Sequence, residues 1–224
     1  MPFVSNLPTG AAAAAEPAAG PEGRPPVGIV LAGGAGRRIG GGKAMVALDR
    51  RPLLSYPIEA VWRALGNVTI VAKFDTELPS VPGVTVWIEP SEPQHPLTGI
   101  LHALSLAEGR PVLVCAGDMP LVTAELVSAI AGTNPGAAAA VVASTAAGLQ
   151  PLLACYQPAA LLRLAEAAQD PNVRLRDAVG ALGPMCVEVE EPELLFNVNT
   201  PDDLLQAAAM LDRRRRLKRR EGRT

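Results

Sequence analysis

The chain has 224 residues, 49% of them hydrophobic and 3% aromatic, with a formal net charge of −2 at pH 7. This length suits one domain with a substantial core, and the few aromatics disfavour a base-stacking nucleic-acid surface. No apolar run reaches the roughly 18 residues of a membrane span. The widely spaced Cys115, Cys155 and Cys186 fit neither a disulfide framework nor a zinc site, so we expect reduced core residues of a cytoplasmic protein. We interpret His95 and His102 as ordinary polar residues near a helix start rather than as metal ligands.

The two ends of the chain differ in composition from its middle. Residues 1–26 are rich in Ala, Pro and Gly, which predicts a disordered leader; no basic start precedes an apolar core, so a targeting peptide is not expected. The folded domain is predicted over 27–212. The tail 213–224 carries eight basic residues and one acid, leaving 12 basic and 21 acidic residues elsewhere, a net charge of −9. We interpret the tail as a solvated continuation of the last helix, with nucleic-acid binding as the alternative.

Hydrophobic periodicity between residues 27 and 216 predicts alternating strands and helices. In chain order these are the strand VGIVLA (27–32), the helix LLSYPIEAVWRALG (53–66), the strands VTIVA (68–72) and VTVWIE (84–89), the helix TGILHALSLAEG (98–109), the strand PVLVCAGD (111–118), the helix TAELVSAIAG (123–132), the strands AAAAVVAS (137–144) and LQPLLACY (149–156), the helices PAALLRLAEAAQ (158–169) and VRLRDAVGAL (173–182), the strand MCVEVE (185–190) and the helix TPDDLLQAAAMLDRRRR (200–216). Thr98, Thr123 and Thr200 are expected to cap helix starts, and Gly66 and Gly109 to end helices.

This alternation predicts an α/β fold, a three-layer α/β/α arrangement around a mainly parallel, Rossmann-like sheet in a single domain. Ligands of such sheets bind beyond the carboxyl ends of the strands. Three polar segments follow strands there: the glycine-rich loop after the first strand, EPSEPQHPLTG (89–99) after the third, and AGDMP (116–120) after the fourth. We therefore expect these segments to converge on one site.

The glycine-rich loop LAGGAGRRIGGGKAMVAL (31–48) combines six glycines with Arg37, Arg38 and Lys43. Glycine lets backbone N–H groups approach an anion closely, and the cations add full charges suited to phosphate oxygens. The pattern favours a polyphosphate site over a tight turn with solvated charges. It lacks the Walker A spacing, and the dinucleotide pattern GxGxxG fails because Gly34 and Gly36 are followed by Ile39 at the third position.

A third pattern fits, and it extends over about residues 27–211. LAGGAGRRIGGGKA resembles the signature loop of GT-A-like nucleotidyltransferases, and the resemblance continues through ALDRRPLLSYPIEAV, HPLTGILHAL, VLVCAGDMPLVTAELV, LQPLLACYQPAALLRL and FNVNTPDDLLQA in the same order. It is greatest to the MobA-like group, the molybdenum cofactor guanylyltransferases, of which LAGG and FNVNTPDDL are typical.

That resemblance implies transfer of GMP from GTP to the molybdopterin-bound molybdenum cofactor with release of pyrophosphate, and Mg²⁺ as the metal. It implies catalytic roles for Arg38, Lys43 and Asp118, with Asp118 as the metal ligand. Acceptor binding is implied for Asn197 and Asn199. Contact with the nucleotide is implied for Leu31, Ala32, Gly33, Gly34, Gly36, Arg37, Lys43, Glu89, Gly99 and Asp118. A molybdoenzyme or a cofactor-delivery chaperone is the further partner to expect; no membrane partner is expected.

The sequence departs from the group at several places. Gly42 stands before the loop lysine where the group has Asp, Thr98 replaces the Ala of G-P-L-A-G, and Glu89 replaces an Asp that helps to read the base. VAKFD (71–75) lacks the Asn that shares this task. A cytidylyltransferase acting on the same cofactor, or a non-catalytic nucleotide-binding module, therefore remain alternatives, although such a module would not need both Lys43 and Asp118.

Overall fold

The apolar runs of the sequence become the strands of one central sheet in the computed structural model, which describes residues 24–33 and 42–221. The strands are β1 (Val27–Leu31), β2 (Ala47–Leu48), β3 (Arg51–Pro52), β4 (Thr69–Ala72), β5 (Thr85–Ile88), β6 (Val112–Ala116), β7 (Ala140–Thr145), β8 (Gly148–Tyr156) and β9 (Met185–Glu188). The helices are α1 (Ser55–Leu65), α2 (Pro96–Leu106), α3 (Ala124–Gly132), α4 (Ala160–Ala167), α5 (Leu175–Gly180) and α6 (Pro201–Glu221).

Seven strands form the central sheet in the order β5-β4-β1-β6-β8-β7-β9, and β2 pairs with β3 in a separate small hairpin. The pairs β5–β4, β4–β1, β1–β6 and β7–β9 are parallel, whereas β8 runs antiparallel to both of its neighbours. The reversal at β8 follows from the short link after β7, because two residues can close a hairpin but cannot make the crossover that a parallel pair needs. The predicted mainly parallel α/β fold is confirmed.

Helices cover both faces of the sheet, and each face has its own core. Residues of β1 alternate between the two: Val30 packs with Ile58 and Val61 of α1, whereas Ile29 packs with Ile100 of α2. A strand buried on both faces must be apolar throughout, which is why VGIVL shows no polar alternation. A third, smaller core joins the β2–β3 hairpin to α6 through residues that include Leu48, Tyr56, Val198 and Ala207.

Most predicted helix ends are confirmed by the geometry. Gly66 ends α1 in the left-handed region at φ 68°, where glycine costs least. Thr123 caps α3 by accepting a hydrogen bond from the Leu126 N–H at 3.3 Å. Thr200 accepts from the Asp203 N–H at 3.1 Å at the start of α6.

The start of α2 corrects the sequence prediction. His95, not Thr98, is the N-cap: its Nδ1 accepts a hydrogen bond from the Leu97 N–H at 3.1 Å. Pro96 then occupies the first helical position, where the absence of an N–H costs nothing. The Thr98 hydroxyl instead donates to the Pro93 carbonyl at 2.8 Å.

The prediction that all three cysteines lie in the core is also wrong for one of them. Cys115 and Cys155 are buried, but Cys186 is exposed. Cys186 lies on β9, an edge strand of the sheet whose residues are mostly exposed.

Helix α6 continues from Pro201 to Glu221 and so passes through the predicted boundary at residue 212. Three arginines of the basic segment bind the domain: Arg213 pairs with Glu193, Arg214 with Glu191, and Arg215 with Asp49. Arg214 also donates to the Leu121 carbonyl at 3.0 Å. The division into domain and tail stays a prediction, and the predicted leader over 1–26 falls largely outside the described residues.

Candidate active site

The carboxyl ends of β1, β4, β5 and β6 border a cleft of ≈ 1010 Å³. Its lining includes Leu31–Gly33 after β1, residues from Glu89 to Gly99 after β5, and Ala116–Asp118 after β6. The convergence of the three polar segments is therefore confirmed. Gly34, Gly36, Arg37 and Arg38, which were also predicted for this site, lie outside the described residues.

Leu31, Ala32 and Gly33 line the cleft through the end of β1. The Ala32 N–H donates to the Val71 carbonyl at 2.8 Å, and the Leu31 carbonyl accepts from the Gly117 N–H at 2.9 Å. Both groups thus belong to the sheet, so the Ala32 N–H is not available to a phosphate.

Lys43, Asp118 and Asn199 form the polar centre of the site. The Lys43 ammonium donates to Asp118 Oδ2 at 2.6 Å and to Asn199 Oδ1 at 2.8 Å. The Lys43 and Asp118 side chains are only 15% and 23% exposed, so this charge-assisted contact is shielded from water and stronger than a surface ion pair. The three residues are brought together from positions up to 156 apart in the chain.

Local structure explains how each of these side chains reaches the centre. Lys43 opens a short 3-10 helix, Lys43–Met45, whose preceding residue Gly42 has φ 55°, a left-handed conformation natural for glycine. Asp118 comes two residues after β6, and its carbonyl accepts from the Val198 N–H at 2.9 Å. That bond holds the segment before α6 against the end of β6, next to Asn199.

The start of α6 fixes Asn199 further. Asp203 Oδ2 accepts from the Asn199 N–H at 2.8 Å and from the Thr200 N–H at 2.9 Å. The Asn199 backbone hydrogen bond is the main cause that holds the pKa of Asp203 below its usual value. Asn197 is placed differently: its amide donates to the Leu195 carbonyl at 3.2 Å. The two asparagines predicted together for the acceptor thus have different partners.

Asp118 Oδ1 is a buried oxygen with no hydrogen-bond partner among the described residues. Buried polar atoms are nearly always bonded, so an unpartnered carboxylate oxygen in a cleft indicates a missing ligand. Together with the amide oxygen of Asn199 it offers hard oxygen donors of the kind that Mg²⁺ takes, alongside waters and substrate phosphates. Within residues 24–33 and 42–221, no group of three or more His, Cys, Asp or Glu side chains could hold a metal ion. The donor set fits Mg²⁺ shared with a phosphate ligand.

Glu89 lies at the opposite side of the cleft, directly after β5, and is only 8% exposed. Its carboxylate has room because its neighbour Gly99 has no side chain: a Cβ at Gly99 would lie 2.8 Å from Oε2, whereas one at Gly33 would lie 3.8 Å from Oε1, an ordinary contact. Burial raises the pKa of Glu89 above its usual value, and the charge of Lys73 opposes this rise. In the part of the chain that the structure describes, no hydrogen bond or ion pair satisfies this carboxylate.

The segment after β4 was missed as part of the site. Lys73, Asp75, Thr76 and Glu77 all line the cleft. Their position at the carboxyl end of a parallel strand was the signal that could have found them. The sequence stretch VAKFD was considered only for an asparagine, which it lacks.

Residues 28–184 match the family model described as the MobA-like NTP transferase domain. The chain belongs to this family. A Mesorhizobium japonicum protein named "Molybdenum cofactor guanylyltransferase" is 35% identical over 199 residues, covering 82% of this chain and 95% of the relative. A Thermococcus gammatolerans protein named "Probable molybdenum cofactor guanylyltransferase" is 34% identical over 188 residues, covering 80% of this chain and 96% of the relative.

A solved structure agrees with this family membership. The crystal structure of molybdopterin-guanine dinucleotide biosynthesis protein A from Archaeoglobus fulgidus superposes with a TM-score of 0.65 at 25% identity, covering 83% of this chain and 98% of that chain. The MobA-like resemblance and the nucleotidyltransferase fold that the sequence predicted are both confirmed.

Proposed function

We propose that this MobA-like protein transfers GMP from GTP to the molybdopterin-bound molybdenum cofactor and releases pyrophosphate. The names of two relatives at 34% and 35% identity support the substrates. The observation that carries the chemistry is the contact of Lys43 with Asp118 and Asn199, beside an unpartnered Asp118 oxygen. A cation next to a free carboxylate oxygen is suited to a nucleotide triphosphate that brings its own metal ion.

In the proposed reaction, a phosphate oxygen of the acceptor attacks the α-phosphorus of GTP. The bond from that phosphorus to the β-phosphate oxygen breaks, and its electron pair leaves with pyrophosphate. Lys43 has a third N–H beyond its two contacts, and this group together with Arg38 would hold the triphosphate. Such transfer needs positioning and charge compensation more than covalent chemistry by side chains.

Asp118, with Asn199, would hold Mg²⁺ on the cleft side of β6. When bound, Mg²⁺ would offset the negative charge that builds up on the departing pyrophosphate. The present contact with Lys43 orients the Asp118 carboxylate before substrate enters. Asn197, in the segment before α6, would bind the acceptor. Arg37 and the glycines of the glycine-rich loop would bind the phosphates.

Glu89 and Gly99 would contact the base. Gly99 leaves room for the Glu89 carboxylate, and a carboxylate can accept from the N1–H and 2-amino groups of guanine. Adenine and cytosine have a ring nitrogen without a proton at the position of guanine N1–H. That nitrogen and the carboxylate are both acceptors, so they would repel each other.

The direct test is pyrophosphate release by the purified protein with molybdopterin, Mg²⁺ and each of the four NTPs in turn. We expect release with GTP and little with the others. Release with CTP and none with GTP would replace this function by the cytidylyl reaction. Tight GTP binding without release of pyrophosphate, under conditions in which the acceptor is present, would favour a non-catalytic module.

The remaining predictions about surroundings stay proposals: a location in the cytoplasm, and transfer of the product to a molybdoenzyme or a delivery chaperone. Among the described residues, no helix combines the length and apolar character that crossing a bilayer requires. The ion pairs of Arg213, Arg214 and Arg215 argue against nucleic-acid binding by the basic tail, because these cations are already paired with carboxylates of the domain.

A further inference from the structure

Lys73 lies where β4 ends and projects into the cleft beside Glu89. Its ammonium donates to the carbonyl of Pro90 at 3.2 Å and to that of Ser91 at 2.5 Å. An ammonium has three N–H donors and no acceptor. Two backbone carbonyls thus fix the position of the nitrogen, and one N–H remains for a ligand.

Glu89 supplies the opposite half of a recognition pattern. Its carboxylate is buried, has no bonded partner among the described residues and feels the charge of Lys73. The two side chains are nonetheless not an ion pair, because no oxygen of Glu89 lies within 4.0 Å of the ammonium. The cleft therefore presents one donor and one pair of acceptors, separated by a gap.

We propose that Lys73 is a specificity-determining residue that donates its free N–H to guanine O6, while Glu89 accepts from the adjacent N1–H and 2-amino groups. This inference rests on the proposed function, and it assigns to a lysine the half of base reading that the sequence left without a residue. On its Watson–Crick edge guanine offers one acceptor followed by two donors. That order is complementary to one ammonium followed by a carboxylate.

The same pair disfavours adenine and cytosine. Adenine would direct its 6-amino group at the ammonium and its N1 lone pair at the carboxylate, so both contacts would be lost and the buried Glu89 carboxylate left unpaired. Cytosine has the same mismatch through its 4-amino group and N3. The free-energy penalty for leaving a buried charged group unpaired exceeds the net stabilisation that one hydrogen bond provides. A mismatched base is therefore rejected more strongly than the loss of a single contact would suggest.

The test measures dissociation constants of GTP, 6-thio-GTP and ATP with Mg²⁺ for the parent protein and for Lys73→Met. 6-Thio-GTP keeps both donors of guanine but replaces O6 with sulfur, a poor acceptor. Methionine keeps an unbranched side chain of similar length and removes the donor. Arg63→Met is the matched control, because Arg63 is a 62% exposed cation of α1 whose one ion pair within the described part of the chain is with Glu59.

We expect the parent to bind GTP about tenfold or more tightly than 6-thio-GTP, the range for one hydrogen bond to a charged group. In Lys73→Met this ratio should fall to within about twofold, while ATP binding stays within about twofold of the parent or becomes tighter, because the ammonium no longer opposes the 6-amino group of adenine. Arg63→Met should leave all three constants unchanged.

A role of Lys73 in only anchoring the segment after β5 predicts a different result. All three nucleotides would then weaken by one factor, and the ratio of GTP to 6-thio-GTP would be preserved; that outcome overturns the proposal. An unchanged GTP constant overturns it as well. A parent protein that does not prefer GTP to ATP would overturn the proposed function together with this inference, so the two failures are distinguishable.

Discussion

Replacing Asp118 by Asn removes the charge at the centre of the site with almost no change of shape. In the parent, Oδ2 accepts from Lys43 at 2.6 Å and Oδ1 is buried without a partner among the described residues. In the variant, either the amide NH₂ faces the ammonium or it takes the place of Oδ1, where it has no acceptor. Both arrangements lose the ion pair with Lys43, and only the second keeps a hydrogen bond, from the ammonium to the amide oxygen.

The cost in stability should be moderate. Fully buried ion pairs cost roughly 3–5 kcal/mol when one partner is removed, but Asp118 is 23% exposed, so we expect about 2 kcal/mol. For a domain of this size that lowers the melting temperature by about 4–8 °C. The variant therefore stays folded at 25 °C.

The cost in activity should be much larger. Asp118 is the one carboxylate among the described residues that forms an ion pair with Lys43, and no described cluster of three ligands could replace it around a metal ion. Loss of one preorganised electrostatic group typically reduces turnover by about 10²–10³. We therefore expect at least a 10²-fold loss of pyrophosphate release and a higher Mg²⁺ concentration at half-maximal rate.

Pyrophosphate release against Mg²⁺ concentration is the assay, with the exposed Asp202→Asn at the start of α6 as control. The control should keep turnover within about twofold. A second readout is the rise in melting temperature on adding GTP and Mg²⁺, which should reach several degrees in the parent at 100 times Kd and be much smaller in Asp118→Asn. Turnover of Asp118→Asn within fivefold of the parent at saturating Mg²⁺ would refute the metal role.

Three further variants test the surroundings of the site. Burial raises the pKa of Glu89 in the folded protein, so ionisation of Glu89 lowers the free energy of unfolding above that pKa and has no effect below the pKa of the unfolded state. Glu89→Gln should therefore have a higher melting temperature than the parent at pH 8 and the same melting temperature at pH 4. A lower melting temperature of the variant at pH 8 would contradict this. Gly28→Ala would place a methyl group 2.6 Å from the Asn67 carbonyl oxygen and should cost about 3 kcal/mol in urea unfolding, whereas Gly180→Ala, with 4.0 Å of space, should be near neutral. Truncation after Asp212 removes four partly exposed ion pairs, three of which join α6 to the rest of the domain. It should lower stability by about 1–2 kcal/mol, less in 1 M NaCl; no change at low salt would mean that α6 is not held by these pairs.

Local signals in the sequence were sufficient for most elements. Thr123, Thr200 and Gly66 marked helix ends correctly because a cap depends on a few neighbouring residues and on the backbone conformation of one position. The start of α2 was predicted wrongly because the imidazole nitrogen of His95 caps the helix, whereas the hydroxyl of Thr98 was expected to do so. The reversal between β7 and β8 is indicated by the short gap of four residues between the predicted strands, which the structure narrows to two.

The site was predicted in part for the same reason. Asp118 and Glu89 were found because each is the last residue of a predicted strand, and strand ends of a parallel sheet meet at one edge. Lys73 follows such a run too, yet only its carbonyl contacts at Pro90 and Ser91 reveal that the ammonium is fixed in the cleft. No sequence pattern encodes those contacts, because they depend on β4 and β5 lying side by side.

The sequence by itself determined the class of fold, the glycine-rich loop with its cations, and the carboxylates at the strand ends, since these depend on periodicity and on short spacing. Only the tertiary structure decided which of these groups face one another. It brought Asn199 to Lys43 across 156 residues, placed Glu89 against Gly99, where a Cβ would lie 2.8 Å from the carboxylate, and directed the first arginines of the basic segment to carboxylates of the domain. The physical reason is that strand order and helix packing set these distances, and both are properties of the assembled core rather than of any stretch of chain.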